Sequence, residues 1–181
     1  GALLVNDPRL AERAEIIREK GTNRSQFFRG EVDKYTWVDV GSSFLPSELI
    51  AAFLSAQMEH ADEITQRRLA LWDRYHAQLE PLEARAQLRR PAITADCTHN
   101  AHMYYILLKN EETRARLIAG LKRYGIHAVF HYVPLHSSPF GRKHARAHGM
   151  FNNTDAVAAT LLRLPLWLGL ESEQQRVLDS V

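Results

Sequence analysis

The sequence predicts an α/β protein of the α+β kind, and three observations carry that reading. A tract without helical or alternating periodicity, residues 21–46, lies between two segments that both read as helices. A helical stripe then runs from Ser47 to Glu80 without an internal Gly or Pro. The remainder alternates short runs of high β propensity with amphipathic helical stretches.

At the start, Ala2 to Val5 is a bare apolar run entering Asn6-Asp7-Pro8, and it is expected to be an interior strand. Asp7 suits an N-cap and Pro8 the first helical position, so a helix is expected to Lys20, where Gly21 stops it. Leu10, Ala14, Ile16 and Ile17 are spaced for one buried face.

The tract GTNRSQFFRGEVDKYTWVDVGSSFLP, Gly21 to Pro46, exceeds the roughly 12 to 15 residues beyond which a loop is usually functional or disordered. Disordered segments are poor in aromatic residues. This one holds Phe27, Phe28, Tyr35, Trp37 and Phe44 beside Asn23, Arg24, Arg29 and Lys34, so it is expected to be ordered against something.

Ser47 can cap the next helix, with Glu48 in the first turn where the helix dipole favours a carboxylate. Leu49, Ile50, Phe53, Leu54, Met58, Ala61, Ile64, Leu69, Trp72, Tyr75 and Leu79 continue the stripe. About 34 residues at 1.5 Å rise make a rod of roughly 50 Å, long enough to span two bodies. The stripe drifts and carries aromatics, unlike a coiled-coil seam.

Beyond residue 85, Ala92-Ile93 and Met103 to Leu108 are expected strands, and Glu111 to Tyr124 a helix presenting Leu117, Ile118, Leu121 and Tyr124. Ile126 to Val133 is a further expected strand. Asp155 to Leu162 and Ser172 to Val181 are expected helices flanking Leu164-Pro165-Leu166.

Composition narrows the function classes. A formal charge of +2 and a pI near 8.8 are too mild for a nucleic-acid footprint. No apolar run approaches a membrane span, and no signal-peptide succession opens the chain, so a cytoplasmic protein is expected. The single cysteine, Cys97, permits no internal disulfide. His127 and His131, four apart on an expected strand, would lie about 13 Å apart, too far to share an ion. His144 and His148 have helical spacing without a third ligand, and no metal site is expected. Gly-x-Ser-x-Gly, a phosphate-binding glycine loop and Ser-x-x-Lys are all absent from the sequence.

Two segments can bind polar ligands. Ser42 and Ser43, after Gly41, can present hydroxyls and an amide to an anion, or simply cap the following helix. In His131-Tyr132-Val133-Pro134-Leu135-His136, two imidazoles and a phenol can hydrogen-bond a ligand, or form a half-buried strand end. Residue pattern alone names no reaction.

A longer likeness does. GALLVND, AEIIREKGTNRSQFFRGEVDKYTWVDVGSSFLPSELIAAFL, QRRLALWDRYHAQL, HNAHMYYILL and GIHAVFHYVPLHSSPFG together resemble the DegT/DnrJ/EryC1/StrS sugar aminotransferases, across essentially the whole chain. REKGTNRSQFFRGEVDKYTW is most similar to the branch that aminates dTDP-4-keto-6-deoxyglucose for cell-surface polysaccharide. The resemblance implies the C-terminal portion of a fold type I, pyridoxal-phosphate-dependent aminotransferase. Residues 1–46 would be the remnant of the large cofactor domain, 47–85 a long connecting helix, and 86–181 a small domain with a mostly antiparallel sheet and flanking helices.

The family's Schiff-base lysine stands shortly before a glycine turn leading into GALLVND, with Gly1 as the end of that turn. Lys20, Lys34, Lys109 and Lys122 stand in other contexts, so no catalytic residue is assigned and the stretch alone is expected to be inactive. Family members often have Gly-x-Asn before the long helix, the asparagine reaching the cofactor phosphate across a homodimer. Here Ser43 occupies that place, as the implied cofactor-binding residue. Lys34 and Tyr35 are the implied diphosphate contacts for a dTDP-sugar, and His131 and Tyr132 the implied lining of the substrate pocket. Glutamate is the implied amino donor. A 3-ketosugar or keto-inositol is the alternative acceptor, and a non-catalytic helical interaction module the alternative from another class.

Overall fold

A computed structural model describes residues 2–181; the reading of Gly1 as the end of a glycine turn lies outside them. The chain forms two compact units, residues up to Glu59 and His60–Val181.

In the first unit Asp7 caps helix α1 (Pro8–Arg18) by accepting the Arg9 amide at 3.0 Å, with Pro8 in the first turn as expected. Ala14, Ile16 and Ile17 are half-buried while Leu10 is exposed, so the face is narrower than its spacing suggests. Ala2–Val5 is not a strand: Leu3 and Leu4 are 77% and 87% exposed, and no described segment pairs with them. A strand needs a neighbour's hydrogen bonds, and apolar character alone does not supply one.

The tract 21–46 is ordered by its own backbone bonds and includes a short helix, α2 (Arg24–Phe28). Helix α3 (Glu48–Glu59) follows, with Ser47 Oγ accepting the Ile50 amide at 3.4 Å. Leu49 and Phe53 are 84% and 70% exposed. The stripe expected as one rod is interrupted at His60 (φ −109°, ψ 15°), beyond which α4 (Ala61–Gln78) begins. Neither Gly nor Pro stands there, and nothing in the structure explains the break.

The second unit holds the core. Leu71, Trp72, Tyr75 and Leu79, on α4 and its C-cap, recur at helical spacing and are buried. They meet Tyr104, Ile106 and Leu108, the alternate buried residues of strand β2 (Tyr104–Leu108). Helix α5 (Glu80–Ala84) and strand β1 (Leu88–Arg89) come between α4 and β2 in the chain; α6 (Glu111–Arg123), capped by Asn110, and strand β3 (Val129–Phe130) follow. A 3-10 turn (Leu135–Ser137), α7 (Pro139–His144), α8 (Asn152–Thr160), strand β4 (Leu161–Leu164) and α9 (Gln174–Asp179) complete it. The sheet is antiparallel throughout, in the order β1-β2-β4-β3, with helices packed against it, as the fold class requires.

Three expectations are corrected here. The first strand is Leu88–Arg89, not Ala92-Ile93: the Arg90 amide donates to Glu83 Oε1 at 2.7 Å and Pro91 has no amide, which ends the ladder before residue 92. Leu161 and Leu162 continue α8 in the sequence but begin β4, where Leu161 turns extended (φ −74°, ψ 129°). Leu161-Leu162 extends the apolar residues of the preceding helix, and periodicity cannot assign so short an apolar run to strand or helix. The strand expected over Ile126–Val133 contracts to Val129–Phe130, where Val129↔Arg163 and Phe130↔Leu162 pair; β4 extends a residue further at each end, and nothing in the structure explains why β3 does not follow it. His127 and His131 therefore flank this strand and do not share a strand face.

Candidate functional site

The tract places Ser43 by folding back on the end of α1. The Ser42 amide donates to the Ile17 carbonyl (2.9 Å), the Lys20 amide to the Ser42 carbonyl (3.0 Å), and the Phe44 amide to the Arg18 carbonyl (3.2 Å). Orphan carbonyls at the helix C-terminus are thus met by residues 42–44. Backbone approach is so close that a Cβ on Gly21 would lie 1.7 Å from the Asp39 carbonyl oxygen, and Gly21 itself has φ +77°. Lys20 adopts φ 64°, a left-handed conformation that costs a non-glycine residue about 1–3 kcal/mol.

Ser43 lines a cleft of about 420 Å³ together with Arg18, Glu19, Lys20, Thr22, Arg24 and Tyr35. Tyr35 is held edge-to-face on Phe27, ring centroids 5.6 Å apart. Asn23 Oδ1 accepts the Thr36 amide at 2.7 Å and fixes the backbone beside Tyr35. Glu19 is the one carboxylate of the lining, and its Oε2 already accepts the Ser25 hydroxyl at 2.9 Å. Lys20 and Arg24 make no ion pair among the described residues. The Thr22 hydroxyl already donates to the Glu19 carbonyl at 2.8 Å, but three cations and the hydroxyls of Tyr35 and Ser43 make this a donor-rich cleft suited to an anion.

The structure therefore brings Ser43 and Tyr35 to one wall but leaves Lys34 exposed and outside the lining. Sequence reading missed Arg18 and Lys20 as members of the cleft. The available signal was the pair of basic residues ahead of Gly21, where a chain leaving a helix must turn sharply.

In the second unit His131 and Tyr132 lie beyond the last ladder pair of β3, with rings 5.0 Å apart. The guanidinium carbon of Arg163, on β4, stands 5.8 Å from the Tyr132 ring centroid. Among the described residues, His131 Nδ1 is buried without a hydrogen-bond partner. His136 does not join them: its Nε2 lies 3.0 Å from Asp155 Oδ1 and its ring stacks on Phe151 at 4.5 Å. The candidate residues Ser43, Lys34 and Tyr35 thus belong to one compact unit, and His131 and Tyr132 to the other.

The DegT/DnrJ/EryC1/StrS aminotransferase family matches residues 1–181, the whole chain. The chain belongs to this family. It is 30% identical over 183 aligned positions to the dTDP-3-amino-3,4,6-trideoxy-alpha-D-glucose transaminase of Streptomyces venezuelae, covering 100% of this chain and 44% of that protein. It is 28% identical to the erythromycin biosynthesis sensory transduction protein EryC1 of Saccharopolyspora erythraea, over 96% of this chain and 43% of that one. Its fold superposes on the crystal structure of DesV from S. venezuelae with a TM-score of 0.79 and 29% identity, over 98% of this chain and 44% of DesV. The chain spans somewhat less than half the length of these aminotransferases.

Aminotransferases of this family use pyridoxal phosphate. The cleft at Ser43 fits the phosphate end of that cofactor by its donor set: a hydroxyl among three cations, of which Arg18 lies 4.0 Å from the one carboxylate, Glu19, while Lys20 and Arg24 make no ion pair among the described residues. Among the described residues no helix is long and apolar enough to cross a membrane.

Proposed function

We propose that this chain is the C-terminal share of a nucleotide-sugar aminotransferase that moves an amino group from glutamate to the C4 ketone of dTDP-4-keto-6-deoxyglucose. The products are the 4-amino sugar and 2-oxoglutarate, and the sugar serves cell-surface polysaccharide assembly in the cytoplasm. Residues 1–46 belong to the cofactor domain of this enzyme, 47–85 to its connecting segment and 86–181 to its small domain. The working enzyme is a homodimer.

Pyridoxal phosphate, when bound, supplies the electron sink that lets the C–N bond of the donor be broken and that of the product be made. Ser43 holds its phosphate by donating its hydroxyl, with Lys20 and Arg18 supplying positive charge. Lys34 and Tyr35 meet the nucleotide diphosphate, and Tyr35 adds a flat face beside it. His131 and Tyr132 line the sugar pocket, where neutral donors and acceptors suit hexose hydroxyls. No lysine of this chain stands in the context of the family's Schiff-base lysine, so residues 1–181 alone do not transaminate.

The observation that supports this reading best is the meeting of Ser43 and Tyr35 in one cationic cleft, in a chain of this family. A second reading, amination at C3, is favoured by the 30% identity to a protein named for a 3-amino sugar. Incubating the intact enzyme with glutamate and either the 3-keto or the 4-keto dTDP-sugar separates the two. Turnover of the 4-keto isomer at least tenfold faster is expected, and preference for the 3-keto isomer would replace the first reading with the second.

A further inference from the structure

β4 is hydrogen-bonded on both sides, to β2 and to β3, so Arg163 projects from a central strand of the sheet. Tyr132 is the opposite case. It follows the last ladder pair by two residues, and no backbone hydrogen bond is made by residues 131–133 among the described residues. Its ring is 73% exposed. Fixing such a residue costs backbone entropy before any ligand arrives.

What meets the Tyr132 ring is the guanidinium of Arg163, at 5.8 Å, within the range of a cation–π contact. Arg163 has no carboxylate within ion-pair distance among the described residues, and its Nε is buried without a hydrogen-bond partner. A half-buried guanidinium with no acid to neutralise it has the ring face as its main favourable electrostatic contact. The centroid of the His131 imidazole also lies near the same ring, 5.0 Å from its centroid. The Tyr132 ring is therefore met by a side chain from a central strand and by its own neighbour, while its backbone is held by neither.

From this we infer that Arg163 is a positioning residue for the nucleotide-sugar pocket, fixing the Tyr132 ring so that it meets the hexose without paying its ordering cost on binding. The inference rests on the assignment of Tyr132 to that pocket. Lysine cannot replace Arg163 fully, because a compact ammonium lacks the planar surface that lies along a ring.

The test uses the intact enzyme, with Arg163→Met to remove the charge at similar length, Arg163→Lys to keep it, Tyr132→Leu, and the double variant. KM for the nucleotide sugar is expected to rise about 2- to 5-fold in Arg163→Met, the scale of one exposed cation–π contact, and less in Arg163→Lys. KM for glutamate is expected to change less than twofold. The Arg163 effect is expected to vanish in the Tyr132→Leu background, as it must if the two act as a pair. In ring-labelled tyrosine NMR, the Tyr132 signals should shift and broaden in Arg163→Met. Unchanged Tyr132 signals, or an Arg163 effect that persists without the ring, would overturn the positioning role. A displaced ring with unchanged sugar KM would instead overturn the assignment of Tyr132 to the pocket, and the inference with it.

Discussion

A Cβ added to Gly41 would fall 2.0 Å from the amide nitrogen of Gly21, so these two glycines let the tract cross the end of its own helix. Because the contact is backbone on backbone, no side-chain movement can relieve it. Gly41→Ala is expected to destabilise the chain by about 1–3 kcal/mol, the usual cost of overpacking, and to open the Ser43 cleft. Chemical denaturation checks the first effect. An unchanged midpoint would show that the crossing is looser than described.

Tyr75, fully buried, donates its hydroxyl to the Pro165 carbonyl at 2.9 Å and thereby ties α4 to the end of β4. Tyr75→Phe keeps the ring and leaves that carbonyl without its donor, at an expected cost of about 1–3 kcal/mol. Tyr105→Phe, whose hydroxyl makes no such bond, is the control and should melt within a degree or two of the parent. Equal melting of the two variants would contradict the assignment.

Glu83 accepts the Arg90 amide at 2.7 Å and the Arg90 Nε at 2.6 Å. The backbone bond first, and the side-chain bond second, hold its carboxyl below the usual 4.5. A carboxyl whose folded pKa is depressed binds protons more readily when unfolded. Its stabilisation is therefore complete above the unfolded value and is lost as pH falls through the lowered folded value. Melting temperatures recorded from pH 6 down to pH 3 should fall less steeply in Glu83→Gln than in the parent, with the two curves converging at the acid end. Parallel curves across that window would remove Glu83 from the explanation of acid sensitivity.

In the intact enzyme, Ser43→Ala is expected to weaken pyridoxal phosphate binding about tenfold, the lower end for losing a hydrogen bond to a charged group. Cofactor titration by absorbance measures it. Ser43→Asn, which restores the family's common residue, should bind at least as tightly as the parent. Weaker binding by Ser43→Asn than by Ser43→Ala would place the phosphate elsewhere.

How much of this was legible in the sequence depended on whether each signal was local. Asp7 and Ser47 cap as their residue types suggest, and the Trp72, Tyr75, Leu79 part of the stripe is buried where its spacing puts it. Strand limits were not legible, because they depend on contacts outside the strand's own pattern. β1 stops because Arg90 turns its amide to Glu83, and β3 stops pairing at Phe130 although β4 continues to Leu161, a limit that no residue pattern marks. The aromatic tract was read rightly as ordered, since Phe27 does pack on Tyr35. Its partners at the backbone, Ile17 and Arg18, are long-range contacts that no local pattern encodes. For the site, Ser43 and Tyr35 came from the family likeness, and only the fold adds Lys20 and Arg18 beside them.

The most direct test of the central claim is to follow nitrogen itself, by incubating the intact enzyme with [15N]glutamate and dTDP-4-keto-6-deoxyglucose and reading the product by 15N–1H NMR. The proposed function predicts a single new 15N signal coupled to H4 of the hexose, with loss of label from glutamate. Label at C3 of the corresponding substrate in preference to C4, or no transfer to either sugar, would contradict it.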